Sequence, residues 1–288
     1  MNGSPDSQML RQPTTRSFLA QPLRVAIAGD WHSDAKYAVG AIEHAAKREA
    51  TVLIQLGDFG YNFTDEYLDS LEEALDRCGM VLGFVDGNHE NFERLLGWPI
   101  DQDGLRYLRG HLAHLPRGFR WLWGQTRCLA LGGAYSIDRF LRKRGRSWWE
   151  QELLTMRQAN AAAAAGEADA MFCHDCPAGI TVPSAARDRR GFPELELRRS
   201  ELHRERLRCV VDAVRPGRLW HGHFHHRYQA VLHGQGYRTV VDCLSKNGHP
   251  IDNNMVVVNL AALGSHRLSS RGTDGPSNSD LTHREAVG

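Results

Sequence analysis

Three short apolar runs in this 288-residue chain end in a glycine followed by residues able to bind a metal ion or move a proton. The first leads into Gly29, Asp30, Trp31 and His32, the second into Gly57 and Asp58, and the third into Gly87, Asn88, His89 and Glu90. Two later segments add imidazoles. His174 follows Met171, Phe172 and Cys173, and His223 and His225 follow a run ending at His221 and Gly222. Carboxylates, imidazoles and an amide oxygen form a ligand mixture suited to Mn, Fe, Co, Ni or Zn. Asp30, His32, Asp58, Asn88, His174, His223 and His225 are too many ligands for one ion, so two divalent ions are indicated. Two metals roughly 3.5–4 Å apart can clamp the attacking and leaving oxygens of an in-line phosphoryl displacement and activate water near neutral pH.

These side chains are distant in sequence, so the elements between them must bring them together. The run over 24–29 reads as a buried strand, followed by a helix over 34–48 with Ser33 as its cap. A second strand over 51–57, a helix over 65–77 and a third strand over 80–86 complete a β-α-β-α-β start, which implies a parallel sheet. Parallel strands end along one edge, and ligand crevices form there. Further on, 118–123 and 127–132 read as a hairpin around Gly124 and Gln125, and 147–165 as a helix. A strand follows over 170–173, then a helix over 194–214 with Leu202, Leu207, Val210, Val211 and Val214 on its buried side. The stretch over 219–260 is strand-rich, so the second half is expected to be mixed or antiparallel. Alternate residues of an extended segment point the same way, which lets His223 and His225 approach one site together.

Composition removes competing classes. With 42% hydrophobic residues the chain can build a sizeable core, and a net charge of +1 gives no global reason to bind nucleic acid or membrane. No apolar run approaches membrane-spanning length, and the polar start lacks the apolar stretch of a secretory signal. Six scattered cysteines suit reduced thiols in a cytoplasmic protein. The expected organisation is a flexible segment over 1–22, a folded domain over 23–263 and a disordered tail over 264–288, where apolar residues are scarce.

Taken in order, Asp-x-His, Gly-Asp, Gly-Asn-His-Glu, His and Gly-His-x-His resemble the calcineurin-like metallophosphoesterase superfamily. Gly-Asp alone says almost nothing; all five blocks in order between Asp30 and His225 are specific. The resemblance implies an α/β fold, a four-layer αββα sandwich of two facing mixed sheets. It also implies a first metal on Asp30, His32 and His225, a second on Asn88, His174 and His223, and Asp58 bridging them opposite a nucleophilic hydroxide. His89 resembles the family histidine that contacts the phosphate or protonates the leaving oxygen. Mn2+ is the first choice of ion. Protein phosphatases of the superfamily carry Gly-Asp-x-Val-Asp-Arg-Gly and Arg-Gly-Asn-His-Glu; here Phe59, Gly60, Tyr61 and Asn62 follow Gly57 and Asp58, and Asp86 precedes Gly87. Both phosphate-holding arginines are missing, which counts against that subfamily. The segment from Leu131 through Arg139, with Ser147, Trp148 and Trp149 after it, is similar to a small bacterial and phage-type branch.

Arg139, Arg142, Lys143, Arg144 and Arg146 form a basic cluster after Gly132 and Gly133. As a phosphate clamp its best members are Arg139, nearest the glycine pair, and Arg142, with Tyr135 beside them; as a bland feature it is a solvated loop. Trp148 and Trp149 are expected in the core rather than stacked on a base. The Arg-rich stretch over 198–208, interspersed with glutamates, reads as a solvated face. The expected substrate is a phosphoester, with a nucleotide or nucleic-acid phosphodiester favoured by the shared basic and aromatic rim. A non-catalytic scaffold and a nuclease subunit of a complex are the alternatives.

Overall fold

The computed structural model describes residues 17–183 and 191–264. Of the expected N-terminal segment over 1–22, residues 1–16, and of the expected tail over 264–288, residues 265–288, lie outside the described residues.

Two six-stranded mixed sheets are formed. In the first, β1 (Arg24–Ala28), β2 (Val52–Gln55), β3 (Val81–Phe84) and β5 (Leu112–His114) run parallel. Its edges are antiparallel strands, β4 (Arg106–Tyr107) on β5 and β12 (Met255–Asn259) on β1. In the second, β7 (Thr126–Leu131), β8 (Ala170–Cys173), β9 (Arg218–His221) and β11 (Tyr237–Cys243) are parallel. There β6 (Arg120–Trp123) and β10 (Tyr228–Gly234) close the two edges antiparallel.

The two-residue period of the strands builds the layers. Val25 and Ile27 of β1 share one core cluster with Ala170 and Phe172 of β8 and Trp220 of β9, between the sheets. Ala26 and Ala28 belong instead to the cluster under α1 (Ala35–Lys47) and α2 (Asp65–Cys78). Met171 and Cys173 face the opposite way, against α4 (Met156–Ala164) and α5 (Glu194–Val214). The result is the expected αββα sandwich. Phe172 and Trp220 stack at 5.3 Å in its middle layer; burying each such ring contributes about 1.5–3 kcal/mol.

Several expectations need correction. Phe18, ahead of the expected domain start at 23, is 3% exposed and packs on Trp121 and Trp123 between the sheets, so residues 17–22 belong to the fold. Asp34, not Ser33, caps α1 by accepting from the Tyr37 N–H, while the Ser33 hydroxyl accepts from the Tyr61 N–H at 2.7 Å. The helix expected over 147–165 begins only at Met156. The Arg117 guanidinium takes the carbonyls of Gln151, Glu152 and Leu153, and Thr155 and Gln158 form a capping box that starts α4 there. Leu202 is 44% exposed, and Glu196, Ser200, His203 and Arg204 take the buried positions of α5. Arg204 is no solvated residue, because it donates to the carbonyls of Cys176, Pro177 and Ile180. The short elements α3 (Phe92–Gly97), β4 and β5 went unpredicted, being too brief for a periodic signal.

Candidate metal centre

The motif residues meet where the C-terminal ends of β1, β2 and β3 face those of β8 and β9. Their loops turn sharply. His32, Asp58, His223 and His225 all have positive φ, between 48° and 68°, a conformation that costs a side-chain-bearing residue energy and persists only under tertiary constraint. Two glycines allow the close approach. A Cβ on Gly87 would lie 2.2 Å from Asp58 Oδ1 and 2.9 Å from His174 Nε2, and one on Gly222 would lie 2.1 Å from Asp30 Oδ1. Glu90 ties two of the loops together by accepting from the N–H groups of Phe59 and Gly87.

Asp30, His32, Asp58 and His225 each offer a donor atom within 4.8 Å of the others. His225 Nε2 lies 3.1 Å from Asp30 Oδ2, and His32 Nε2 lies 3.4 Å from Asp58 Oδ2. The other oxygen of Asp58 faces a second group: His174 Nε2 is 3.4 Å from Oδ1 and 3.1 Å from Asn88 Oδ1. Asp58 therefore presents one oxygen to each of two donor sets. His223 joins the second set through its ring, 5.1 Å from that of His174, while its N–H donates to Asp30. His89 lies at the rim, its Nε2 3.9 Å from Asp58 Oδ2.

The surroundings fix how these groups point. His174 Nδ1 donates to the Leu56 carbonyl at 2.7 Å, leaving Nε2 toward the site. Asn88 Nδ2 donates to Ser136 Oγ, whose hydroxyl donates to Glu152 at 2.8 Å, so the amide oxygen is the atom turned inward. Asn247 holds His32 Nδ1 at 2.8 Å and donates to Asp34. Deeper still, Leu154 N–H donates to His203 Nε2, and His203 Nδ1 holds Asp175.

Electrostatics follow from this crowding. Burial pushes both carboxyls up, but the His225 contact and the charge of His174 hold Asp30 below its ordinary value, and His174 and His89 hold Asp58 well below. Burial likewise opposes charge on the imidazoles, yet Asp58 raises His32 to about 9 and His174 to about 10. His223, buried without so close a carboxylate, falls to about 4. The pocket thus draws positive charge toward two facing oxygens, and its donor set fits a pair of divalent cations.

A family model described as calcineurin-like phosphoesterase matches residues 23–227, which include every motif block. The chain belongs to the calcineurin-like phosphoesterase family. It is a metal-dependent phosphoester hydrolase, and the family carries a divalent dimetal centre. Among solved structures this phosphoesterase shares its fold with a dimetal phosphatase from Danio rerio, at 13% identity and a TM-score of 0.50, covering 83% of this chain and 93% of that one. It is also similar to the Thermus thermophilus protein TT1561 (8% identity, TM-score 0.48, 83% of this chain and 99% of that one). A 5'-nucleotidase from Candida albicans SC5314 has a TM-score of 0.40 at 12% identity, covering 89% of this chain and 54% of that one. A search of curated proteins returns no match.

The expected substrate contacts of this phosphoesterase separate. Arg142 stands at the site, with its two terminal nitrogens 2.9 and 3.0 Å from the His89 ring nitrogens and a 2.8 Å ion pair to Asp138. Arg139 does not: its guanidinium lies over the rings of Trp148 and Tyr135, at 4.3 and 5.1 Å. Tyr135 is buried and its hydroxyl donates to Glu196 on α5, so it is held away from the cleft. Arg144 pairs with Glu150. Sequence reasoning missed Asn247, Ser136 and Glu152, which orient the candidate ligands His32 and Asn88. The glutamate carries no motif, the serine lies unremarked within the segment from Leu131 through Arg139, and only the fold brings them to Asn88. No helix among the described residues is long and apolar enough to cross a membrane.

Proposed function

We propose that this phosphoesterase hydrolyses a phosphodiester, of nucleotide or nucleic-acid type, at a centre held by Asp30, His32 and His225 on one side and Asn88, His174 and His223 on the other. Asp58 would be shared between them. When bound, two divalent cations would supply Lewis-acid charge and lower the pKa of water. Mn2+ is the proposed ion, since oxygen and imidazole donors are both present. His89 and Arg142 would meet the phosphoryl group. Burial first, then Arg142, pushes the His89 imidazole below its ordinary pKa, so it offers an N–H to an oxygen rather than a ready imidazolium proton. Arg142 takes the place of the two arginines absent from the motifs, reaching the site from a loop. A cytoplasmic location is part of the same reading.

The observation that carries the diester preference is the cleft on either side of the His89–Arg142 pair. One arm, of about 490 Å³, runs past Phe192, Phe224, Lys246 and His249. The other, of about 330 Å³, runs past Tyr61, Asn62, Arg146 and Trp149. A monoester has one organic group and needs one arm, whereas a diester places a group in each. Aromatic rings and cations in both arms suit bases and phosphates.

Manganese-loaded protein should turn over bis-p-nitrophenyl phosphate faster than p-nitrophenyl phosphate, and Asp58→Asn should abolish both. Activity confined to p-nitrophenyl phosphate and phosphopeptides would defeat the diester assignment.

A further inference from the structure

A cavity of about 270 Å³ lies apart from the catalytic cleft, behind Asp86. It approaches the lower end of ordinary ligand sites, roughly 300 Å³. Phe92, Leu95, Leu96 and Leu153 give it apolar walls, and Gln151 and Gln158 lie at its border. Its charged wall is a buried network with unequal charges. Arg117 donates to Asp86 through two nitrogens and to three carbonyls as well, so that pair is neutral and saturated. His114 is held below its ordinary pKa by burial; it donates from Nε2 to Asp86 and accepts at Nδ1 from Arg106. Arg106 is therefore a second cation with no carboxylate of its own. It is 7% exposed, and its partners among the described residues are the Trp98 carbonyl on Nε and the His114 ring on one terminal nitrogen. The other terminal nitrogen has none.

That free nitrogen is not sealed away from solvent but borders the cavity. The anion acting on Arg106, Asp86, is already taken by Arg117 and His114, so a further anion at this edge would complete the pairing of the guanidinium. We propose that this cavity is a binding site for a small amphipathic carboxylate, whose head meets the free edge of Arg106 and whose apolar body lies on Phe92, Leu95 and Leu96. The planar fork of Arg106 suits a carboxylate, and the leucine and phenylalanine walls exclude a bare hydrated ion. This site is independent of the catalytic reading: its wall residues, Asp86 apart, come from α3, β4, β5 and the segments on either side of Arg117 and α4.

The experiment is calorimetric titration of the metal-loaded protein with benzoate, and with benzyl alcohol as its uncharged counterpart. Benzoate is expected to bind one to one, benzyl alcohol at least about tenfold more weakly, since a charge-assisted hydrogen bond is lost. Arg106→Met should weaken benzoate by a similar factor. Should that variant fail to fold, Leu96→Glu serves in its place. Leu96 is 48% exposed, and the new carboxylate would occupy the site from within the chain and abolish benzoate binding without disturbing the core. Unchanged benzoate affinity in either variant would overturn the proposal. So would the absence of saturable heat, or displacement of benzoate by inorganic phosphate acting competitively with substrate, which would place it on the catalytic metals.

Discussion

The loops at the strand ends and the segment from Ser136 to Thr155 meet across the same cleft but are shaped by different forces. The first set is short and over-determined: glycines at contact distance, left-handed backbone at His32, Asp58, His223 and His225, and Glu90 bonded across two loops. The second is long and nearly without regular structure. It takes its path from Arg117 on its carbonyls, from Arg139 between two aromatic rings, and from Trp149 in the core under the helices. The cluster of candidate ligands is thus fixed by local geometry, and the wall that carries Arg142 by long-range contacts. Mutations should separate the two.

The largest effect is expected from Gly87→Ala. A methyl group 2.2 Å from Asp58 Oδ1 must push that carboxylate aside; misplacement by about 1 Å costs roughly 100-fold in rate or more. Metal content and bis-p-nitrophenyl phosphate turnover should both collapse while the fold persists, and full metal occupancy in the variant would show that the close approach is dispensable. Arg117→Met attacks the other region. It leaves the Asp86 carboxylate buried without its main partner and frees the carbonyls of residues 151–153. Loss of about 3–5 kcal/mol in urea unfolding is expected. A loss below about 1 kcal/mol, the scale of an exposed ion pair, would mean that the segment holds its path without Arg117.

The same contrast explains what could be read from the sequence. The convergence of the candidate ligands was legible because each follows a short apolar run that reads as a buried strand, and parallel strands end on one edge. The αββα layering was implied by the family resemblance, with the strand reading in agreement. The segment 147–155 was misread as helix because its composition permits a helix; only the demand of Arg117, from a loop well before it in the chain, excludes one. Leu202 was misplaced by the same blindness. The inward face of α5 is set by Asp175 and the carbonyls near Cys176, which need buried His203 and Arg204 rather than leucine. Sequence periodicity cannot reveal polar partners supplied by a distant loop.

Glu152 gives a pH test of the long segment. Its carboxyl is pushed up from 4.5 to about 7, chiefly by burial, while the Ser136 hydroxyl and the charges of Arg139 and Arg142 pull the other way. A carboxyl raised in the fold favours folding below its unfolded pKa, and that contribution is lost as pH rises through about 7. The metal-free protein should therefore lose stability between about pH 4.5 and 7 by up to roughly 3 kcal/mol. Glu152→Gln should flatten that slope and be the more stable form above about pH 7. Parallel pH curves for the two proteins would refute the assignment. Ser136→Ala acts on the link between the regions. It removes the hydroxyl that orients Asn88, and metal affinity should fall about 10- to 100-fold with little change in stability.

The smallest effect distinguishes two arginines that look alike in sequence. Arg139 sits nearest the glycine pair, which made it the stronger clamp candidate, but its guanidinium is spent on two aromatic faces. Arg142, three residues on, is turned by the 3-10 turn at Arg139–Leu141 toward His89. A lysine at 139 keeps the charge and loses the flat stacking surface, so Arg139→Lys should cost about 1 kcal/mol of stability. Its kcat/KM on the diester should stay near that of the parent. Arg142→Lys should do the reverse, with stability held and kcat/KM lowered about tenfold, because a bidentate contact becomes a point charge. If Arg139→Lys lowered kcat/KM as far as Arg142→Lys does, the wall would be acting as one unit. The separation between a rigid centre and a loop-built recognition surface would then fail at the place where both meet the substrate.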